Sequence, residues 1–146
     1  MTLEELSCKL ECQDLIIRYF VMLDSGPRAT IPDLLFTEDG TMVGPGNNVA
    51  EGAALRERFA QLPKEFVPVH PTMNILITPT GPNTADGTAY VVAYNIFGKV
   101  DDVLPRPMPT TPNRVGIVQF QFRNTASGWR ISQFKPNVPF IDDGRT

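Results

Sequence analysis

The chain has 146 residues, of which 42% are hydrophobic and 20% are charged, and its net charge is −3. These values are typical of a soluble globular protein, and the length predicts a single domain over residues 1–146. The basic residues are scattered without a stripe or cluster, which argues against a nucleic-acid partner. No apolar run reaches the roughly 20 residues of a membrane span, so we expect no membrane partner.

Cysteine and histidine usage limits the chemistry further. Cys8 and Cys12 are one helical turn apart, and we interpret them as small apolar packing residues. A zinc site would need further ligands, and His70 is the only histidine. The glycine-containing loop at 44–48 is not followed by the Lys-Ser/Thr pair of a phosphate-binding loop. We therefore expect no metal, nucleotide or other cofactor. The acidic start of the chain lacks the features of a signal peptide, so we expect a cytoplasmic protein.

The first predicted helix covers residues 3–24. Thr2 suits its N-cap, and Glu5, three residues later, completes a capping box. Apolar residues recur at three- and four-residue steps and become denser towards the C-terminal end, so we expect that end to lie in the core. The sequence Ser25-Gly26-Pro27 then ends the helix.

Asp24 closes the apolar run at the end of this helix. A carboxylate there is disfavoured by the helix dipole, and burial is costly unless the charge is paired. Two interpretations stay open at this point. Asp24 either lies exposed where the helix ends and bonds the following turn, or it turns inward and pairs with a histidine.

The other helices and strands follow in chain order. A second helix is predicted over 29–36 with Thr30 as its N-cap, then a turn over 37–40, a short strand over 41–43 and a third helix over 53–62. Long strands are predicted over 69–78, 84–97, 114–123 and 129–134, and the tail at 135–146 is expected to be loosely attached. The proline-rich connection at 98–113 is long for a hairpin loop, so we expect it to be functional or to form an interface.

Helices that precede a run of strands are typical of an α+β fold. We expect three N-terminal helices to pack on one face of a curved antiparallel sheet. This arrangement makes a cone-shaped barrel, and its open end is a natural apolar pocket.

His70 stands at the mouth of the first long strand, and histidine is the side chain that changes charge near neutral pH. In one interpretation it bonds a backbone carbonyl and is purely structural. In the other it is a general base. A carboxylate would then accept one imidazole N–H, fix the tautomer and leave the second nitrogen free to take a proton.

Several short motifs resemble those of one family. They are Ile16 to Gly26, Leu35 to Thr41, Glu51-Gly52, Val69-His70 with Asn74-Ile75, and Gly128 to Ser132. In order and spacing the chain resembles a SnoaL-like member of the nuclear transport factor 2-like superfamily over roughly residues 5–135. The resemblance implies the cone fold and a homodimer formed through the open sheet face. It does not by itself imply one function, because the fold hosts enzymes and non-enzymes.

Two branches of that superfamily imply a site. In scytalone dehydratase and hexachlorocyclohexane dehydrochlorinase, an aspartate at the end of the first helix supports a histidine base that opens the third strand. Asp24 and His70 match those places. Ketosteroid isomerase has its carboxylate base before a proline, where this chain has Gly44, although its active-site tyrosine has a counterpart in Tyr19. The Asp–Arg–Asp arrangement of limonene epoxide hydrolase finds no match.

Further side chains are candidates for binding the substrate. Asn74 lies an even number of residues from His70, so we expect both on one sheet face. Tyr94 and Asn95 point to opposite faces, so at most one of them lines the pocket. Arg123 is either a ligand for a substrate anion or a solvated strand end. An apolar wall is predicted from hydrophobic residues that could equally belong to the core: Met22, Met42, Val92 and Phe120.

The residues and the resemblance together predict a cofactor-independent lyase or isomerase, of the dehydratase, double-bond isomerase or cyclase type. It would act on a small, largely apolar cyclic molecule, with His70 as the base, Asp24 orienting it and Tyr19 or Asn74 assisting the leaving group or enolate. The alternative is a non-catalytic ligand-binding or assembly module, such as a protein that resembles the β subunit of a ring-hydroxylating dioxygenase. Such a module needs no contact between Asp24 and His70.

Overall fold

Helix α1 covers Leu3–Ser25 in the structure, a computed structural model that describes residues 1–98 and 104–141. The predicted capping box is confirmed: the Thr2 side chain accepts a hydrogen bond from the Glu5 amide, and the Glu5 carboxylate accepts one from the Thr2 amide. Gly26 ends the helix with a φ of +75°, and its amide donates to the Met22 carbonyl at 2.7 Å. A positive φ is easily adopted only by glycine, which explains the position of the stop.

The other elements differ from the predictions mainly at their ends. A 3-10 turn, Arg28–Thr30, leads into α2 at Ile31–Leu35, and α3 covers Ala53–Ala60. Thr30 makes no side-chain cap and instead donates to the Pro27 carbonyl. The seven strands are β1 Phe36–Val43, β2 Val49–Glu51, β3 Phe66–Val69, β4 Thr72–Gly81, β5 Thr84–Phe97, β6 Arg114–Thr125 and β7 Gly128–Ile141.

Strand β1 is longer than predicted because residues 37–40 continue it rather than forming a turn. Its register against β7 shifts between Phe36 and Thr41. Gly40 lies within this irregular stretch, and an added Cβ there would come within 2.9 Å of the Phe36 side chain and the Thr37 carbonyl. Because glycine has no Cβ, the backbone can approach these atoms and the strand can distort here. Sequence periodicity does not reveal such a distortion.

The sheet has the order β2-β1-β7-β6-β5-β3, and β4 also pairs with β5. The expected α+β fold is confirmed, but the sheet is mixed, since β1 runs parallel to β7. The predicted strand over 69–78 is divided into β3 and β4, because His70 and Pro71 interrupt the pairing. Strand β7 extends to Ile141, beyond the predicted end at residue 134, and the rest of the predicted tail lies outside the described residues. Residues 99–103 of the proline-rich connection also lie outside them.

The core lies between the helices and the inner face of the sheet. Its fully buried side chains include Ile16, Ile31, Phe120 and Phe122. Cys8 and Cys12 are free and are 4% and 0% exposed, which confirms that they pack as apolar residues. Burial raises the pKa of both thiols, so they stay protonated at neutral pH. Among the described residues, no helix is both long enough and apolar enough to cross a membrane.

Candidate functional site

Asp24 and His70 are 46 residues apart in the chain and meet at the end of α1. One carboxylate oxygen, Oδ1, lies 2.5 Å from His70 Nδ1, and the other, Oδ2, accepts the His70 backbone N–H at 2.8 Å. The side chains are 24% and 11% exposed, respectively. Of the two open interpretations of Asp24, the inward one describes its position. Both carboxylate oxygens therefore contact a single residue, one through its backbone N–H and one through a ring nitrogen.

Local structure on each side of the contact holds it in place. Arg28 donates to the Leu23 carbonyl at 2.7 Å and to the Pro63 carbonyl at 3.2 Å, which ties the end of α1 to the segment before β3. Its guanidinium also lies over the Phe66 ring, 5.5 Å from the centroid. A planar guanidinium suits this combination of hydrogen bonds and stacking. The end of the helix and the start of β3 are therefore anchored together.

His70 occupies the break between β3 and β4. Thr72 donates its hydroxyl to the His70 carbonyl at 3.0 Å, and the Val92 amide donates to the Pro71 carbonyl at the same distance. These bonds fix the backbone where regular pairing stops. The ring itself packs 5.5 Å from the Phe20 ring, centroid to centroid. The imidazole is thus held by a carboxylate at one end and by an aromatic neighbour.

A cavity of about 370 Å³ opens beside this pair, enclosed by α1, α3 and the inner face of the sheet. This volume is in the usual range for sites that bind small molecules. Its apolar wall includes Phe20, Leu23, Met42, Phe59, Phe66 and Phe134. Its polar lining consists of Tyr19, Arg58, His70, Asn95, Arg114 and Asn137. The cavity therefore suits a molecule with an apolar body and a small number of polar groups.

Tyr19 lies deep in the cavity and is 2% exposed. Its ring contacts several aromatic rings, with centroid distances of 4.9 Å to Phe134 and 5.0 Å to Phe20. Burial raises the pKa of the hydroxyl, and the charge of Arg58 opposes this rise only in part. The hydroxyl therefore stays protonated at neutral pH and is available as a hydrogen-bond donor.

Some of the pocket residues predicted from the sequence line the cavity, and others do not. Met42 lines the cavity, and of the pair Tyr94 and Asn95 it is Asn95 that does so. Val92 and Tyr94 are on the other face of β5, because the odd-numbered residues of that strand point inward. Val91 and Ala93 take the place in the lining that was predicted for Val92.

Asn74, Phe120 and Arg123 also lie elsewhere. Asn74 is exposed and has a φ of +51° at an irregularity in β4, so the even-spacing argument that related it to His70 does not hold. Phe120 is 1% exposed and packs in the core, where its ring contacts Tyr19. Arg123 forms an ion pair with Asp39 at 3.0 Å, away from the cavity.

Arg58, Arg114 and Asn137 line the cavity although no sequence pattern marked them as candidates. Arg58 lies within the predicted third helix, and Arg114 is the first residue of a predicted strand. Asn137 lies in the part of β7 that was expected to be a loose tail. Their approach to one cavity depends on the tertiary fold. Within residues 1–98 and 104–141, no cluster of three or more His, Cys, Asp or Glu side chains could hold a metal ion.

Comparisons with known proteins agree with the fold. A family model for the SnoaL-like domain matches residues 4–135. No curated protein sequence matches the chain. The chain is similar to a solved structure from Novosphingobium aromaticivorans, described provisionally as a scytalone dehydratase, with 19% identity and a TM-score of 0.80. The similarity covers 100% of this chain and 93% of that one.

Two further structures are similar at low identity. A type 3 hexachlorocyclohexane dehydrochlorinase from Novosphingobium barchaimii has 11% identity and a TM-score of 0.75, with 98% of this chain and 95% of that chain covered. A protein from Novosphingobium aromaticivorans, described provisionally as an aromatic ring hydroxylase, has 24% identity and a TM-score of 0.72, with 92% and 91% covered. At these identities, the similarities establish the shared fold alone.

Proposed function

The chain belongs to the SnoaL-like domain family, and from this premise we propose that it is a cofactor-independent lyase or isomerase that begins its reaction by abstracting a proton. The observation that carries the proposal is the contact of Asp24 with His70 at the wall of an apolar cavity. A paired carboxylate and imidazole in such a place are suited to base catalysis. The substrate would be a small, largely apolar cyclic molecule.

Asp24 would act by orienting His70. With Nδ1 assigned as the protonated nitrogen, its N–H donates to the carboxylate and Nε2 keeps a lone pair that can accept a proton from the substrate. The carboxylate would also stabilise the imidazolium that results. General base catalysis of this kind contributes roughly 10²- to 10⁴-fold to a rate.

The negative charge that develops on the substrate needs a partner. Tyr19 is the proposed donor, because its protonated hydroxyl lies in the cavity lining. Asn95 takes the role that was predicted for Asn74, and Met42 contributes to the apolar wall. Loss of a leaving group would complete an elimination, whereas return of the proton at another carbon would complete an isomerisation. Both outcomes begin with the same step at His70.

The relatives support the elimination branch. Two of the similar structures are named for a dehydratase and for a dehydrochlorinase, and both names describe the loss of a small molecule from a substrate. Their identities to this chain are too low to transfer a substrate. They support a test in which eliminations and double-bond migrations are screened first.

Solvent-deuterium incorporation tests the proposal even while the product is unidentified. The protein is incubated in D₂O, with EDTA and no added cofactor, with a panel of cyclic ketones, β-hydroxy ketones, cyclic enoic acids and halogenated rings. Mass spectrometry then detects deuterated substrate or eliminated product. We expect at least one panel member to react faster than with heat-denatured protein. Reaction only after a metal or redox cofactor is supplied would contradict the proposal.

The second candidate function is an assembly module, which the similarity to the protein described as a ring hydroxylase favours. Such a module would need a larger partner subunit. The contact of Asp24 with His70 gives no advantage to an assembly role, so it favours the enzyme. The two functions also differ in the assembly that they predict.

The outer face of the sheet supports a homodimer. It carries exposed apolar side chains on β4 and β5, with Met73, Leu76 and Tyr90 exposed by 44%, 62% and 45%. Burial of such side chains against a second copy would remove apolar surface from water.

We expect light scattering to give twice the 16.2 kDa mass of one chain. Leu76→Glu should shift the protein towards the monomer, whereas Leu10→Glu, at a position 60% exposed on α1, should not. A monomeric wild-type chain would contradict the dimer.

A further inference from the structure

Helix α3 and strand β6 each carry one arginine in an ion pair and another that faces the cavity. On α3, Arg56 bonds Asp33 at 2.7 Å, and on β6, Arg123 bonds Asp39 at 3.0 Å. Arg58 and Arg114 instead line the cavity. In the described part of the chain, neither has a carboxylate within 4.0 Å. The paired and unpaired arginines therefore differ in what they face.

The lining of the cavity, over the described residues, contains no aspartate or glutamate. Asp24 is near, but its two oxygens are already bonded to His70. Arg58 and Arg114 are both exposed residues, so their charges lie where the cavity meets solvent. The charge of Arg58 is also felt inside the cavity, since it offsets part of the rise that burial causes in the pKa of Tyr19. Two like charges beside an apolar wall attract an anion from solvent.

Strand register places Arg114 two strands away from His70, at the same level of the sheet. Val69 pairs with Tyr94, and the Pro71 carbonyl bonds the Val92 amide, so His70 lies beside Ala93. Ala93 in turn pairs with Arg114. Two strand spacings put the Cα atoms of His70 and Arg114 roughly 10 Å apart, with only the small alanine side chain between them. One ring with an anionic substituent can span that gap.

Resting on the proposed function, we infer that the substrate carries a carboxylate, which Arg58 and Arg114 bind at the mouth of the cavity while its apolar body lies against His70. The planar guanidinium offers parallel N–H donors that match the two oxygens of a carboxylate. The two arginines are thus specificity-determining residues. They select an acid over the corresponding neutral molecule and orient it towards the base.

Calorimetric titration with a matched pair of probes tests this inference. The probes are 2-naphthoate and its neutral analogue 2-naphthamide, which have similar shape and apolar area. We expect wild-type protein to bind naphthoate more tightly, and Arg114→Gln and Arg58→Gln each to weaken naphthoate binding roughly 10- to 100-fold with little effect on naphthamide. Arg123→Gln and Arg56→Gln are the controls, because each removes an arginine from the same element but outside the cavity. Both controls should leave naphthoate binding unchanged.

Equal affinity for the two probes, no binding of either, or equal losses in the control variants would each overturn the inference. His70→Asn separates it from the proposed function, because that variant should still prefer naphthoate. Arginine-dependent naphthoate binding together with no deuterium incorporation from any panel member would support the carboxylate site and overturn the catalytic function. Deuterium incorporation without preference for naphthoate would do the reverse.

Discussion

Replacing His70 with alanine is expected to reduce turnover of the substrate found by deuterium incorporation by roughly 10²- to 10⁴-fold, the usual contribution of a general base. The reason is that Nδ1 of the imidazole is held by Asp24, so Nε2 is the nitrogen left to receive the proton. Steady-state kinetics on purified protein measures the loss. We expect most of it in kcat, because the base acts on the transition state rather than on substrate binding.

Two controls separate a lost base from a damaged fold. His70→Asn places an amide donor near the position of Nδ1, so Asp24 keeps a partner while no group remains at the position of Nε2. It should be as inactive as His70→Ala but closer to wild type in thermal stability. Added imidazole should restore part of the activity of the alanine variant, since the space left by the ring is open to the cavity. Full activity in either variant would rule out His70 as the base.

Asp24→Asn is expected to give the second large effect, again roughly 10²- to 10⁴-fold in kcat. The carboxylate accepts from the His70 backbone N–H and from the ring at once. An asparagine has one oxygen and one NH₂ group, so it cannot accept both bonds. If its oxygen keeps the backbone bond, its NH₂ faces Nδ1 and favours the tautomer with the proton on Nε2, which leaves no base in the cavity.

The double variant distinguishes orientation from independent contributions. If Asp24 acts only through His70, adding Asp24→Asn to His70→Ala should lower kcat little further, because the two residues work as one unit. Asp33→Asn, which removes a carboxylate from an exposed ion pair, serves as the matched control and should keep wild-type kcat. Losses that multiply in the double variant would mean that Asp24 acts on the substrate directly.

The sequence predicts best what is decided locally. The start of α1 depends on Thr2 and Glu5, which are three residues apart, and its end depends on Gly26. Such capping signals can be identified from a few neighbouring residues. The contact between Asp24 and His70 is different, since local reasoning left each residue with two interpretations and the family resemblance was needed to pair them.

The inaccurate predictions for the cavity lining depend on distant pairing. The choice between Val92 and Val91 for the lining depends on which face of β5 meets the helices, and alternation alone does not decide this. The strand break at His70 and the irregularity near Asn74 disrupt the period of two on which the spacing argument depended. No local pattern identifies Arg58 and Arg114 as ligands, because they line one cavity only in the folded chain.

The order of the sheet has a consequence for the synthesis of the protein. Strand β7 is the last described strand along the chain, yet it lies between β1 and β6 and joins the N-terminal part of the sheet to the rest. On the ribosome, β1 and β2 therefore have no sheet to join until residues beyond Gly128 have emerged. Their apolar side chains lack this partner until about 90 more residues have been synthesised, which exposes them to chaperones and to aggregation in the meantime.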